Sequence, residues 1–390
     1  MAFDPLNKEA RAQWREMLSP ADPAHAGFAL LLFALSSFVL PLCDKPVVTM
    51  LYLLGAVVFY YLLSRSLFAV LIVSLPGVLL FGVSAVGGPL LPGVYAALLL
   101  GSVSGAYLVL HILRSKQISF VFSVLLILLA AYGAAFWITG GYVRSLLVLL
   151  PLAPAVTLGL CVFTCRAHTP STILTAAVLV VLSLAVWLTA LRYTGGNPLA
   201  ILSESVRTSV SDLLRQMAAL YEEQGLSLGM TDVGISNAAI LCANLLPGLL
   251  IAACSVLAYL MWRMLLRLLL AWQTLPRLPV RLTALTVSPV CAALFLVCYL
   301  VALFANSSTA TLFGTVCQNL SVIFEPALAL VGCTSLVGRD AERSCLSQLL
   351  ATGLIVLLFF RPAVALAIAA FVGTFRILTA TFLPHNKGGQ

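Results

Sequence analysis

Residues 118–139 read ISFVFSVLLILLAAYGAAFWIT. No charge interrupts the run, and its apolar residues cover every side of a 3.6-residue helix. A helix on the surface of a soluble protein shows one polar face to water, and this one has none to show. About 20 such residues cross the hydrocarbon of a bilayer as an α-helix. Barrel strands are a poor alternative, because they alternate polar with apolar over about ten residues. The stretch predicts a transmembrane helix, and the chain on either side of it supplies more.

Of the 390 residues, 62% are hydrophobic and 9% charged, and the mean hydropathy is +1.11. A soluble domain cannot cover that much apolar surface, whereas a bilayer needs no covering. Apolar runs fall near 26–43, 47–63, 67–84, 90–111, 118–139, 144–165, 172–191, 238–262, 283–305, 311–336, 346–360 and 362–380. The expected fold is an all-α polytopic transmembrane bundle of about 10–12 spans. Its regions are an interfacial helix over 1–25, a membrane bundle over 26–191, an amphipathic insert over 192–237 and a second membrane region over 238–380.

The connections sort the charges. With the N-terminus cytoplasmic, the inner segments hold Lys8, Arg11, Arg15, Arg65, Arg114, Lys116, Arg166, Arg263, Arg267, Arg277, Arg281, Arg339, Arg343, Arg376 and Lys387. That is fifteen of the 21 basic residues, against Lys45, Arg144, Arg192, Arg207, Arg215 and Arg361 outside. The positive-inside rule then places both termini in the cytoplasm. The net charge of +8 calls for no nucleic acid, since anionic lipid of the inner leaflet is a sufficient partner. The ten cysteines lie mostly inside spans, where Cys acts as a small apolar residue, so free thiols are expected. No cleavable leader is expected either, because about 25 mixed polar residues precede the first apolar run and no small-x-small exit follows it.

Three polar segments have helical character. At the N-terminus Asp4 can cap, Pro5 suits the first position, and Leu6, Ala10, Trp14, Met17 and Leu18 form one stripe. Such a helix suits the inner membrane interface. From Ile201 to Gln224, Leu202, Val206, Val210, Leu213, Leu214, Met217 and Leu220 recur at helical spacing beside Glu204, Arg207, Asp212, Arg215 and Glu222. This helix is expected outside, as a lid over a cavity or as a structural connection. The inner connection from Arg263 to Arg281 carries Arg263, Arg267, Arg277 and Arg281 with Trp262, Trp272, Pro276 and Pro279, and no acid. It reads as an interfacial anchor or as a docking surface for a cytoplasmic or membrane partner.

One span carries unusual polarity. Gln318, Asn319, Ser321 and Glu325-Pro326 lie in an apolar run, with Cys317, Ser321 and Glu325 on one helical face. An ionisable group at mid-bilayer costs at least about 2.5 kcal/mol and faces a bundle interior or a wet cavity. Pro326 denies the carbonyl of Val322 its helical donor. Glu325, Asn319, Gln318 and Ser321, with Asn244 opposite, form the candidate substrate or ion pocket. Pro326, Pro247 and Pro154 mark helix breaks of the kind that open backbone groups to a cavity; Pro151 accompanies Pro154 in the sixth span, and Pro289 interrupts the ninth.

Cys161, Cys165 and His168 follow at helical spacing, but no fourth ligand accompanies them and Arg166 stands beside them, so no metal and no cofactor are expected. Ala130, Ala131, Ala134 and Ala135, and again Ala363, Ala365, Ala367 and Ala369, permit close helix contact. There is no P-loop, no HExxH pair and no GxSxG elbow, and no enzyme is expected.

The C-terminal half resembles the YybS-like family of bacterial membrane proteins. The resemblance rests on Leu245-Leu246-Pro247-Gly248, a basic linker with Trp272 and Pro279, a span from Ser288-Pro289, and Gln318-Asn319-Leu320-Ser321-Val322-Ile323. It covers roughly Asn244 to Phe375. Where that family typically reads Gln-Gly, this chain has Glu325-Pro326. The family is distantly similar to the substrate-binding membrane subunits of energy-coupling-factor vitamin transporters. The resemblance implies a bacterial inner-membrane protein that captures a small molecule, with separate ATPase and coupling subunits. The alternative is a non-transporting scaffold for cell-envelope or sporulation machinery.

Overall fold

The apolar runs fold as helices, and proline sets where many of them start. The computed structural model describes residues 8–18, 22–43, 45–64, 74, 76–77, 90–115, 118–141, 145–194, 198–223, 231–276, 278–304, 312–337, 352–354, 356–357 and 361–382. In order the helices are α1 (Lys8–Met17), α2 (Pro23–Val39), α3 (Pro46–Ser64), α4 (Leu90–Ser115), α5 (Ile118–Thr139) and α6 (Leu152–Phe163). Then come α7 (His168–Thr194), α8 (Pro198–Glu223), α9 (Asp232–Ala271), α10 (Pro289–Phe304), α11 (Leu312–Val337) and α12 (Pro362–Phe382). Five of them begin on proline, whose missing N–H is not needed in a first turn. Asp22 caps α2 by accepting from Ala24 N–H at 3.1 Å.

Among the described residues there is no strand, and nine helical segments are long and apolar enough to cross a membrane. The chain is an all-α, multi-pass membrane protein whose helices meet the lipid bilayer. Leu126, Leu129 and Trp137 of α5 project outward unburied, as lipid-facing residues do. The expected spans 67–84 and 346–360 lie almost wholly outside the described residues, as do Asp4, Pro5 and Leu6.

Several expected boundaries are corrected. The break in the sixth span is at Pro151, after a 3-10 turn over Leu146–Leu149, and Pro154 falls harmlessly in the first turn of α6. Pro289 interrupts nothing: it opens α10, and residues 284–288 before it are not helical. The ninth span is therefore 16 residues rather than the whole of 283–305. Arg192 continues α7 instead of opening the polar insert, and α8 runs Pro198–Glu223 where Ile201 to Gln224 was expected. Arg263 and Arg267 are not in a linker, because α9 is one helix of 40 residues reaching Ala271.

The chain divides into two compact units, the first of residues 1–228 and 254–284 and the second of residues 229–253 and 285–390. In the first unit α4 is the central helix, packed against α2, α3 and α6 and buried on nearly every side from Tyr95 to Leu108. Its small residues make this possible. A methyl group at Gly105 would sit 2.7 Å from Ala155 Cβ and 2.9 Å from Phe33, and one at Gly101 would sit 2.9 Å from Ser36 Cβ and 3.0 Å from Pro151 Cβ. Such positions let helices approach closely where lipid offers no hydrophobic drive. Ala131 and Ala135 of α5 are buried while Ala130 and Ala134 are exposed, so one of the two alanine strips there makes protein contact.

In the second unit α10, α11 and α12 pack on one another around Ala292, Phe295, Leu328, Ala329, Ala369 and Ala370. Phe371 meets Phe295 and Tyr299 edge-on, with centroids 5.6 and 4.8 Å apart. The closest helix approach is between α11 and α12. A methyl at Gly332 would run into the Ala369 carbonyl oxygen, and one at Gly373 into that of Leu328. Ala365, Ala369 and Gly373, spaced by four, form the buried strip of α12. Ala367 is only half-buried and lies off that strip.

Candidate functional site

The polar residues of α11 divide between two faces. Asn319 turns towards the N-terminal part of α9, where Pro247 interrupts the helix. Its Oδ1 accepts from Gly248 N–H at 2.7 Å, and its Nδ2 donates to Asn244 O at 3.0 Å and to Thr315 O at 2.9 Å. In an unbroken helix Gly248 N–H would donate to Asn244 O. The Asn319 amide stands in that gap and satisfies both halves of the missing bond. Gly248 permits the contact, since a methyl there would lie 2.7 Å from Asn319 Oδ1 and 3.0 Å from its Cα.

Glu325 lies elsewhere. It follows Asn319 by six residues, about 120° round the helix at 3.6 residues per turn. Gln318 and Glu325 are seven apart and share a face, which Gly332 continues for two more turns. Gly332 is pressed on α12, so this strip borders protein rather than open lipid. Ser321, buried on the same side, donates its hydroxyl back to Gln318 O at 2.8 Å. Glu325 is half-buried and has no hydrogen bond or ion pair among the described residues. The candidate pocket thus separates into an Asn319–Asn244–Gly248 clamp and a Gln318–Ser321–Glu325 strip. Asn244 contributes its backbone carbonyl, and its residue is otherwise exposed.

Both prolines lie inside continuous helices, Pro247 in α9 and Pro326 in α11. Pro326 lies seven residues after Asn319 and so on the clamp's side of α11. A carboxyl beside a proline within a span, bordering protein and without a fixed partner, can take up a proton or hold a cation.

A second cluster in the first unit brings together residues that the sequence offered only separately. Trp14 and Leu18 of the N-terminal segment are buried, and Trp14 Nε1 donates to Val162 O at 2.8 Å. Arg15 lies over the Phe163 ring at 4.7 Å. Trp14 and Leu18 of the α1 stripe are thus packed against protein, with Trp14 on α6, while Met17 is exposed. After Phe163 the chain turns through Cys165 at φ 47°, with Arg166 N–H donating to Cys161 O and Cys165 N–H to Val162 O, each at 2.9 Å. This left-handed turn ends α6, so Cys161, Cys165 and His168 do not share a helical face. Among the described residues no group of three metal-ligating side chains gathers, and no disulfide joins the cysteines.

The tryptophans of the basic segment are structural. Trp262 is fully buried and donates Nε1–H to Leu282 O at 2.9 Å. Trp272 stacks on His25 at 5.0 Å and meets Tyr107 edge-on at 4.6 Å. This corrects their reading as interfacial anchors. Between them, Met264, Leu265, Leu266, Leu268 and Leu269 are buried, leaving Arg263 half-buried and Arg267 exposed. His168 is fully buried, edge-on to Tyr259 at 5.5 Å and to Trp262 at 6.1 Å, and neither ring nitrogen has a partner among the described residues. Of the four docking arginines, Arg277 and the side chain of Arg281 lie outside the described residues. Trp14 carried a sequence signal as a member of the N-terminal apolar stripe, and His168 as a polar aromatic just past the sixth apolar run; the spacing gave no hint of their partners. No family model matches the chain, and no curated protein or solved structure is significantly similar to it.

Proposed function

We propose that the chain is a transporter-type component of a bacterial inner membrane that captures a small molecule, with Glu325 as its proton- or cation-binding group. The observation that carries this reading is the half-buried Glu325 carboxyl, which has no hydrogen bond or ion pair among the described residues. A bare carboxyl within a span is expensive and is kept where it has a task. The prolines inside α9 and α11 support the same reading, because each denies a carbonyl its helical donor and transporters expose such backbone groups to a ligand. The resemblance of Asn244 to Phe375 to the YybS-like family points in this direction on its residues alone. The sorting of fifteen of 21 basic residues to one set of connections supports cytoplasmic termini and a partnership with anionic inner-leaflet lipid.

The test is chemical labelling of the reconstituted full chain with dicyclohexylcarbodiimide, which attacks protonated carboxyls in apolar surroundings. Glu325 is expected to be modified, with protection by sodium ions if it binds a cation and by raised pH if it carries a proton. Absence of adduct at Glu325, or an adduct indifferent to both, overturns the assignment. Affinity capture of ATPase and coupling subunits with the chain supports capture for transport, and recovery of cell-envelope machinery in their place supports the scaffold.

A further inference from the structure

Arg263 and Arg267 stand one turn apart near the end of α9, and neither has a carboxylate within ion-pair distance among the described residues. The sequence places no Asp or Glu between Asp232 and Glu325, so α9 and the segment after it supply no local counter-charge. Around these guanidinium groups the first unit gathers donors. Tyr60 of α3 is nearly buried, lies within electrostatic reach of Arg263 and Arg267, and has no hydrogen-bond partner for its hydroxyl among the described residues. His168 lies within electrostatic reach of Arg263, buried, with both ring nitrogens unpartnered among the described residues.

A half-buried cation with no counter-ion is costly to keep. Guanidinium forks and a hydroxyl are donors suited to the several oxygens of a phosphate. Arg263 directly follows the expected span 238–262, and basic residues at the end of a span are where anionic lipid is met. We propose that this end of the first unit binds a phosphate-bearing anion through Arg263, Arg267 and the Tyr60 hydroxyl, with His168 bordering the site. The phosphate belongs either to a lipid headgroup or to a soluble phosphate ester.

Two probes distinguish the sources. Native mass spectrometry of the detergent-purified full chain, offered phosphatidylglycerol or diacylglycerol of the same tails, reads lipid binding; calorimetry with glycerol 3-phosphate reads the soluble ester. Retention of phosphatidylglycerol over diacylglycerol assigns a lipid headgroup, and binding of glycerol 3-phosphate without lipid preference assigns a soluble ester. Arg263→Gln with Arg267→Gln is expected to weaken the preferred probe about tenfold or more, and Tyr60→Phe about threefold with unchanged thermal stability. Arg207→Gln binds like the parent. No preference for phosphate in either assay overturns the proposal, as does parent-like binding by Tyr60→Phe or by the double arginine variant. If the double variant does not fold, Tyr60→Phe decides.

Discussion

The side-chain amide of Asn319 occupies a gap in the backbone ladder of another helix, accepting from Gly248 N–H at 2.7 Å while donating to Asn244 O at 3.0 Å. Pro247 supplies no N–H and its ring pushes on the preceding turn, so α9 opens there. Asn319 fills the opening with an amide that has the same donor and acceptor as the peptide pair it replaces. A residue that resembles a ligand contact in the sequence is consumed by holding α9 and α11 together.

Asn319→Ala therefore strands a backbone donor and a backbone acceptor in a low-dielectric setting, at about 1–3 kcal/mol for each group left unpaired. Asn319→Asp keeps the acceptor for Gly248 but loses both N–H donors, and falls with alanine rather than with the parent. Thermal unfolding in detergent, followed by tryptophan emission, measures this. A melting point for Asn319→Ala within scatter of the parent rules the clamp out as a stabilising element.

Glycines on α11 and α12 divide from the others by what surrounds them. Gly332→Ala and Gly373→Ala each force a methyl into a carbonyl of the opposite helix, so both destabilise by about 1–3 kcal/mol through overpacking. Gly27, in α2, has nothing within 4 Å of an added methyl, and Gly27→Ala stabilises by about 0.4–1 kcal/mol through the unfolded chain. Equal melting shifts for Gly332→Ala and Gly27→Ala would refute the close contact.

Trp14 tests whether α1 is held by protein or by lipid. Trp14→Phe keeps an aromatic ring but removes the donor to Val162 O, which costs about 0.5–1.5 kcal/mol and loosens α1. Limited proteolysis should then cut near residues 8–18 faster than in the parent, in detergent and in lipid nanodiscs alike. Protection that appears only in nanodiscs, with no effect of the substitution, would return α1 to the membrane interface.

The fold was legible because hydropathy is a long-range signal: residues 118–139 predict a span, and α5 occupies 118–139. Boundaries failed where one residue type has two meanings. Pro289 reads as a break, yet it is a helix start, because Ser288 Oγ is free to accept from Val290 N–H at 3.3 Å. Arg263 reads as the end of a span, yet α9 continues, because Trp262, Leu265 and Leu269 beyond the lipid-facing run find protein to bury them. The candidate site was legible as composition and not as geometry. Asn319 and Glu325 are six residues apart in one span, and only the helix phase shows them facing different neighbours. The small-residue face of α4 was visible as Gly93, Ala97, Gly101 and Gly105, a four-residue spacing as strong as the alanine pairs and more consequential for burial.

The clamp and the kink should be energetically coupled. Pro247→Ala restores an N–H that can donate to Ala243 O, removes the ring from the preceding turn, and lets α9 close its own ladder. Gly248 N–H then has Asn244 O within reach, and Asn319 no longer holds a unique role. Asn319→Ala should consequently cost less in the Pro247→Ala background than in the parent, with a coupling energy of about 0.5–3 kcal/mol, the range found for residues in direct contact. Four melting curves, for parent, each single variant and the double, measure it. Additivity within about 0.5 kcal/mol would mean that Asn319 binds α9 for reasons unrelated to the bend, and that the amide's fit to the Pro247 gap carries no energy of its own.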